Sequence, residues 1–128
     1  MTPARDFPIA RLLGFEVGES RPGTAVVHFQ PEPRHNNTLG TLHGGVLCDI
    51  ADAAMGHAYR TGLEPDDRFT TVDLQISFLR PVRLERLEAR GRVLRQGRRL
   101  GFMECEIVND RGELVAKASC TCLRLPAE

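Results

Sequence analysis

The sequence lacks the features that indicate a membrane protein, a secreted protein or a nucleic-acid-binding protein. Its longest apolar runs are far shorter than a membrane span. Its first residues, MTPARDFPIARLLG, do not have the basic-then-apolar pattern of a signal peptide. The formal net charge is +0, with 17 basic and 17 acidic residues, so the overall charge gives no indication of a nucleic-acid partner. We therefore expect a cytoplasmic protein that binds neither a membrane nor a nucleic acid.

The sequence also lacks the motifs of metal sites and of common nucleophiles. Its cysteines, Cys48, Cys105, Cys120 and Cys122, have no zinc-site or redox spacing, so we expect small buried side chains in a reducing compartment. No second histidine stands at a ligand spacing from His43, which argues against zinc. There is no Gly-x-Ser-x-Gly motif, and no cysteine has the setting of a catalytic thiolate. Neither a metal nor a cofactor is predicted.

The 128 residues are enough for one domain, 1–128, with a substantial core. Only one long helix is predicted, from about Gly45 to Arg60, and a parallel sheet would need a crossover for each strand. The sequence therefore predicts an α+β fold in which an antiparallel sheet wraps around one central helix. Apolar sheet edges favour a dimer that continues the sheet. The other predicted elements are a short helix at 7–14 and strands at 15–20, 24–30, 69–82, 87–96, 99–109 and 113–125.

Two aspartates, Asp49 and Asp52, lie inside the Ala-rich run of the long helix. Asp52 falls at the flank of the predicted buried face, and Gly56, one turn later, leaves room for a ligand to approach. A partly desolvated carboxylate beside a gap is a candidate general base or nucleophile. Asp49 points in nearly the same direction, but the spacing favours Asp52. The apolar stripe of this helix is formed by Leu47, Ile50 or Ala51, Ala54 and Ala58.

Two glycines, Gly44 and Gly45, stand where the first unpaired N–H groups of the helix point outward. Without Cβ atoms they let a substrate carbonyl come close to the backbone, where N–H groups can stabilise an oxyanion. A plain helix start after a tight turn is the alternative interpretation. His43 could be a base, a metal ligand or a loop anchor, and the structural role is favoured.

Arginine is concentrated in residues 80–99, where eight arginines accompany two glutamates. One interpretation is a set of solvated strand faces. The other is a site for a phosphorylated small molecule, because guanidinium groups bind phosphate well.

The motif and the segments that follow it resemble a known family. Asn37 stands six residues before His43-Gly44-Gly45, and Asp52 stands nine residues after His43. TTVDLQISFLRPV and RQGRRLGFMECEIVNDRGELVAKASCTCLRL complete a pattern that resembles hotdog-fold thioesterases of the phenylacetate-pathway, or PaaI-like, type. The resemblance extends from about residue 7 to residue 125 and implies a hotdog fold.

The resemblance implies a role for each motif residue. Asp52 activates water or attacks the thioester carbonyl, and the Gly44 N–H binds the carbonyl oxygen. Asn37 positions the water or the thioester, and His43 supports the loop. Thr71, or its neighbour Thr70, contacts the attacking water.

The resemblance also implies an acyl-CoA thioesterase that works on an aromatic or medium-chain acyl group as a homodimer or homotetramer. The site would lie between two subunits, with Asp52 and Thr71 facing the partner's Asn37 and Gly44. Gly45 and Gly56 would border the substrate, and four arginines, Arg80, Arg83, Arg98 and Arg99, would meet the phosphates of coenzyme A. A hotdog-fold hydratase and a non-catalytic acyl-CoA-binding protein are the alternatives.

Overall fold

The structure is a computed structural model that describes residues 6–126. Within these residues two α-helices and six strands follow one another in the order that the sequence predicts. The helices are α1 (Pro8–Leu13) and α2 (Gly44–Arg60). The strands are β1 (Phe15–Arg21), β2 (Thr24–Phe29), β3 (Arg68–Phe78), β4 (Leu87–Gln96), β5 (Leu100–Asn109) and β6 (Leu114–Leu125). No helix in this part of the chain is both long and apolar enough to cross a membrane.

The six strands form one antiparallel sheet, in the order β1-β2-β4-β5-β6-β3, and α2 packs against one face of it. Two glycines allow this close approach. A Cβ atom on Gly91 of β4 would lie 2.5 Å from the carbonyl oxygen of Ala54, and one on Gly101 of β5 would lie 2.3 Å from the ring of Tyr59. The predicted antiparallel sheet around one central helix is confirmed, with β1 and β3 as its two edges.

Helix α2 starts and ends close to the predicted positions. His43 caps it, because the Nδ1 atom of its side chain accepts the Gly45 N–H at 2.9 Å. The predicted apolar stripe is buried as expected. On the face that carries Asp52, Gly56 and Tyr59 are buried at the C-terminal end. The Tyr59 ring packs edge-on against the ring of Phe69 on β3 at 5.2 Å.

Strand β3 departs from the prediction in two ways. It ends at Phe78 and not at residue 82, since the chain turns away there and the N–H groups of Leu79 and Arg80 both donate to the carbonyl of Val115. The sequence also predicts a regular alternation of apolar side chains at positions 72, 74, 76 and 78. This alternation is interrupted, because a β-bulge shifts the register between Thr71 and Asp73. This irregularity leaves residue 72 on the exposed surface and lets residue 71 face the helix.

Three of the four cysteines lie in the core, and all four are free thiols. Burial raises the pKa of Cys105 to about 12. The pKa of Cys120 is also raised, first by its hydrogen bond with Cys122 and then by burial. These positions agree with the expectation of small buried side chains.

Candidate active site

Asp52 lies midway along α2, is half-buried, and accepts a hydrogen bond from a side chain of strand β3. The Thr71 hydroxyl on β3 donates to Asp52 Oδ1 at 2.9 Å. The bulge described above turns Thr71 toward the helix, whereas its neighbour Thr70 is exposed. A donor that engages one carboxylate oxygen fixes the orientation of the group and leaves Oδ2 to accept a second hydrogen bond. Of the two predicted threonines, the structure therefore brings Thr71 to Asp52.

Asp49 lies one turn earlier on α2 and is more exposed than Asp52. The pKa of Asp49 is raised, chiefly by partial burial and secondly by the negative charge of Asp52. The Thr71 hydroxyl contacts Asp52 and not Asp49. The contact with Thr71 thus distinguishes Asp52 from Asp49, although helical spacing points the two side chains in nearly the same direction.

The buried thiol of Cys122 lies behind Thr71, with its sulfur 3.7 Å from Thr71 Oγ1. Because the single hydroxyl proton of Thr71 goes to Asp52, the thiol acts as the donor in this second contact. Cys122 on β6, Thr71 on β3 and Asp52 on α2 therefore form one chain of contacts across the helix–sheet boundary. This role of Cys122 was not predicted, because it depends on the pairing register of β3 and β6.

Asp52 and Thr71 open into a cleft of about 320 Å³, which we name the Asp52 cleft. Its lining is mainly apolar, with Phe7, Ala53, Gly56 and Phe69 on its walls. Gly56 lies as predicted one turn beyond Asp52, and a Cβ atom there would be 3.6 Å from the Phe69 ring. An apolar cleft that ends at a carboxylate is suited to an acyl group whose reactive carbon lies at its open end.

Two basic side chains, His57 and Arg60, also line the Asp52 cleft. The His57 ring stacks on Phe7 at 5.7 Å, and the Arg60 guanidinium lies over the Phe69 ring at 5.2 Å. Neither residue was predicted as part of the site. The spacing could have indicated Arg60, since it stands eight residues after Asp52 and therefore falls on nearly the same face of the helix.

A second cleft, of about 380 Å³, contains the other half of the predicted motif and is named the Gly44 cleft. Asn37, Gly44, Phe78 and Arg80 lie on its walls. The Gly45 N–H donates to His43, whereas the Gly44 N–H donates to no acceptor among residues 6–126. The Gly44 N–H is thus a helix-start donor without an acceptor in the described residues, and the His43 side chain caps the helix.

The Asn37 side chain organises the loop before α2. Its Oδ1 atom accepts the N–H groups of Leu39 and Thr41 at 2.8 and 3.2 Å, and its amide donates to the Thr41 hydroxyl at 2.9 Å. An amide group has two N–H donors, so the second N–H of Asn37 has no acceptor among residues 6–126.

The two halves of the motif do not meet within one chain. Asp52 and Thr71 line one cleft, and Asn37 and Gly44 line another. This arrangement is the one expected if each complete site takes its halves from two subunits.

The arginines of residues 80–99 do not form one patch. Arg80 lines the Gly44 cleft and pairs with Glu113 at 3.4 Å, and Arg83 lies in the exposed loop between β3 and β4. Arg98 and Arg99 border a separate cleft of about 400 Å³ near the end of β6. Two others, Arg90 and Arg92, form ion pairs with glutamates on the sheet surface. The solvated-face interpretation therefore holds for these last two.

Residues 6–126 contain no group of three or more His, Cys, Asp or Glu side chains arranged to hold a metal ion.

Comparison with known proteins gives the class of enzyme. Residues 39–116 match the Thioesterase superfamily. Human acyl-coenzyme A thioesterase 13 is 32% identical over 124 residues, covering 94% of this chain and 86% of that protein. The conserved protein PA5202 of Pseudomonas aeruginosa superposes with a TM-score of 0.92 at 28% identity, covering 96% of this chain and 98% of that one. The E. coli PaaI protein of the phenylacetic acid degradation operon superposes with a TM-score of 0.86 at 28% identity, covering 93% and 85%.

The matched residues make up more than half of the sequence, so the chain belongs to the Thioesterase superfamily. This membership confirms the predicted hotdog fold, the PaaI-like resemblance and the predicted class of enzyme.

Proposed function

We propose that this protein hydrolyses an acyl-CoA thioester to the free acid and coenzyme A, with Asp52 as its catalytic carboxylate. The observation that carries the proposal is the Thr71–Asp52 hydrogen bond at the end of an apolar cleft. The relatives named as an acyl-CoA thioesterase and as a phenylacetic acid degradation protein support the substrate class. The second of these names also supports an aromatic acyl group, whereas a medium-length acyl group stays a prediction from the sequence.

Asp52 acts as a general base in the proposed mechanism. The Thr71 hydroxyl engages Oδ1, so Oδ2 takes a proton from the attacking water while the water oxygen forms a bond to the thioester carbon. The tetrahedral intermediate then collapses, and the carbon–sulfur bond breaks. Asp52 returns the proton to the departing thiolate. A thioester is already electrophilic and thiolate is a good leaving group, so a positioned water, one carboxylate and one oxyanion donor suffice.

The Gly44 N–H stabilises the developing oxyanion, because it is an unpaired donor at the positive end of a helix dipole. The remaining N–H of Asn37 positions the water or the thioester oxygen. Since these groups line a different cleft from Asp52, they act on the substrate of the partner subunit.

The proposed dimer joins two β3 strands. This strand is an edge of the sheet, and its outward side has unpaired backbone donors and acceptors. Exposed apolar side chains lie on it or directly after it, including Val72, Phe78 and Leu79, which are 52–56% exposed. Antiparallel pairing of β3 with its copy is compatible with two-fold symmetry and would continue the sheet. We further propose a tetramer built from two such dimers.

Coenzyme A would approach from the rim of the two clefts. Arg80 and Arg83 lie beside or near the Gly44 cleft, and Arg98 and Arg99 lie near the end of β6. These four remain the proposed contacts for its phosphates.

Substitution of Asp52 tests the proposed function directly. Asp52→Asn should lower kcat by roughly 10²–10⁴-fold, because it removes the general base while keeping the shape of the side chain. Activity is measured with aromatic and aliphatic acyl-CoAs, with product mass spectrometry to identify free acid and thiol. A hydrated acyl thioester would indicate the hydratase, and unchanged ligand would indicate a binding protein. Near wild-type turnover in Asp52→Asn would overturn the assignment.

Asp49→Asn is the matched control, since it changes the same residue type one turn away. It should leave kcat almost unchanged. The raised pKa of Asp49 means that its ionised form destabilises the fold, so Asp49→Asn should be somewhat more stable at neutral pH. This gain should vanish below about pH 4, where the aspartate is protonated in the folded and the unfolded state.

A further inference from the structure

Arg60 is a half-buried charged side chain in the lining of an apolar cleft. Its guanidinium lies over the Phe69 ring at 5.2 Å, and Phe69 lines the same cleft. Among residues 6–126 it makes one hydrogen bond, which is long, at 3.4 Å to the carbonyl of Glu64. No carboxylate of these residues lies within 4.0 Å of it to form an ion pair. A guanidinium has five N–H donors, so most of those on Arg60 have no acceptor in the described part of the chain.

Asp67 is an acidic residue that attracts Arg60 but does not pair with it. Its Oδ2 atom pairs instead with Arg124 at 2.7 Å and accepts the Glu64 N–H at 2.9 Å. Arg60 contributes only a weaker, longer-range attraction to this group. The positive charge of Arg60 is therefore not neutralised by direct contact inside the cleft.

Arg60 and Asp52 stand at opposite ends of the Asp52 cleft. They are eight residues apart on α2, which corresponds to about 12 Å along the helix axis. The Arg60 guanidinium lies over the Phe69 ring and reaches the carbonyl of Glu64, just beyond the end of α2. Between them the lining includes the apolar residues Gly56 and Phe69 and the His57 ring, which is stacked on Phe7. The cleft thus has a reactive carboxylate, a mainly apolar middle and a cationic far end.

We propose that Arg60 recognises a carboxylate at the far end of the acyl group, so that the preferred substrates are CoA thioesters of short dicarboxylic acids. The inference rests on the proposed function, because the acyl group must lie in the Asp52 cleft with its thioester carbon near Asp52. The guanidinium fork suits a carboxylate in two-point contact, and the partly desolvated setting strengthens the interaction. The negative charge of Asp52 also favours the orientation that keeps the substrate carboxylate away from it.

A structural role for Arg60 makes a different prediction. The side chain could simply cover Phe69, and its positive charge could stabilise α2 by interacting with the negative C-terminal end of the helix dipole. In that case its replacement would affect all acyl-CoAs equally, through stability or through the shape of the cleft.

Hexanoyl-CoA and adipoyl-CoA separate the two roles, because their acyl groups have the same length and differ in a terminal carboxylate. The wild-type enzyme should have the higher kcat/KM for adipoyl-CoA. Arg60→Met keeps a long apolar stem over Phe69 and removes the charge. It should lower kcat/KM for adipoyl-CoA by about ten- to a hundredfold, mainly through KM, and change that for hexanoyl-CoA by less than about twofold.

Two further variants control the experiment. Arg60→Lys keeps the charge without the planar fork and should retain part of the preference for adipoyl-CoA. Arg21→Gln removes one exposed arginine on β1, at the opposite edge of the sheet from β3, and should change neither substrate. Equal losses on both substrates in Arg60→Met, or no wild-type preference for adipoyl-CoA, would overturn the inference. Failure to hydrolyse hexanoyl-CoA and adipoyl-CoA alike, together with inactivity on aromatic acyl-CoAs, would instead contradict the proposed function.

Discussion

The hydroxyl proton of Thr71 can serve only one acceptor at a time, and in this structure it serves Asp52. We therefore expect Thr71→Val, which has nearly the same shape without a donor, to lower kcat by about ten- to a hundredfold. Thr71→Ser should restore most of the activity. Wild-type kcat in Thr71→Val would show that this hydrogen bond does not support catalysis.

The sequence allowed some residues of the Asp52 cleft to be predicted and not others. Asp52 could be found because helical spacing places it beside Gly56 at the flank of the buried face. That Thr71, and not Thr70, reaches Asp52 depends on a β-bulge, and the run of alternating apolar residues around it gives no sign of that bulge. Arg60 was missed because its role depends on which side chains of β3 cover the end of α2.

Secondary-structure elements were predicted closely, since the apolar periodicity and turn residues such as Gly14 and Gly112 mark most boundaries. Both of these glycines have a positive φ, at 89° and 76°, as a helix end and a tight turn require. The end of β3 was the main error. The predicted strand continues to residue 82. In the structure the N–H groups of Leu79 and Arg80 both donate to the carbonyl of Val115, near the start of β6, so the regular pairing of β3 with β6 ends at Phe78.

Gly56 lies inside a helix, where glycine usually costs about 0.5–1 kcal/mol of stability relative to alanine. A Cβ atom there would make an ordinary contact with Phe69 at 3.6 Å. We expect Gly56→Ala to raise the free energy of unfolding by roughly that amount, measured by urea denaturation. The added methyl group would also narrow the Asp52 cleft, so KM for aromatic acyl-CoAs should rise several-fold while acetyl-CoA is little affected. Loss of stability, or an equal effect on both substrates, would contradict this account of Gly56.

The loop after β3 and the turn between β4 and β5 present the arginines proposed to bind coenzyme A. Contacts with exposed phosphates are screened by salt and contribute mainly to binding. Replacing Arg80, Arg83, Arg98 or Arg99 by alanine should therefore raise KM for acyl-CoA with little change in kcat for those that contact phosphate. The matching acyl-N-acetylcysteamine, which lacks the nucleotide, should be unaffected. Equal losses on the two substrates would mean that the arginine acts through the fold.

The residues of the proposed site line two different clefts of one chain, with Asp52 and Thr71 in one and Asn37 and Gly44 in the other. If a dimer joins them, each site combines Asp52 of one subunit with Gly44 and Asn37 of the other. Asp52→Asn and Asn37→Ala homodimers should then both be nearly inactive. Co-refolding them in equal amounts should give hybrid dimers with one intact site. About half of the dimers formed by random mixing are hybrids with one working site of two, so activity should recover to roughly a quarter of the wild-type level.

The control for this experiment mixes Asp52→Asn with Thr71→Val. Both changes affect the part of the site that one subunit supplies. In a hybrid of these two chains, one site would therefore contain Asp52→Asn, the other would contain Thr71→Val, and neither would be intact. Recovery should therefore be absent here and present with Asn37→Ala. Sedimentation of the wild-type protein gives the oligomeric state directly. A fully active monomer, or no recovery in either mixture, would show that a single chain completes its own site, and the proposed interface along β3 would be wrong.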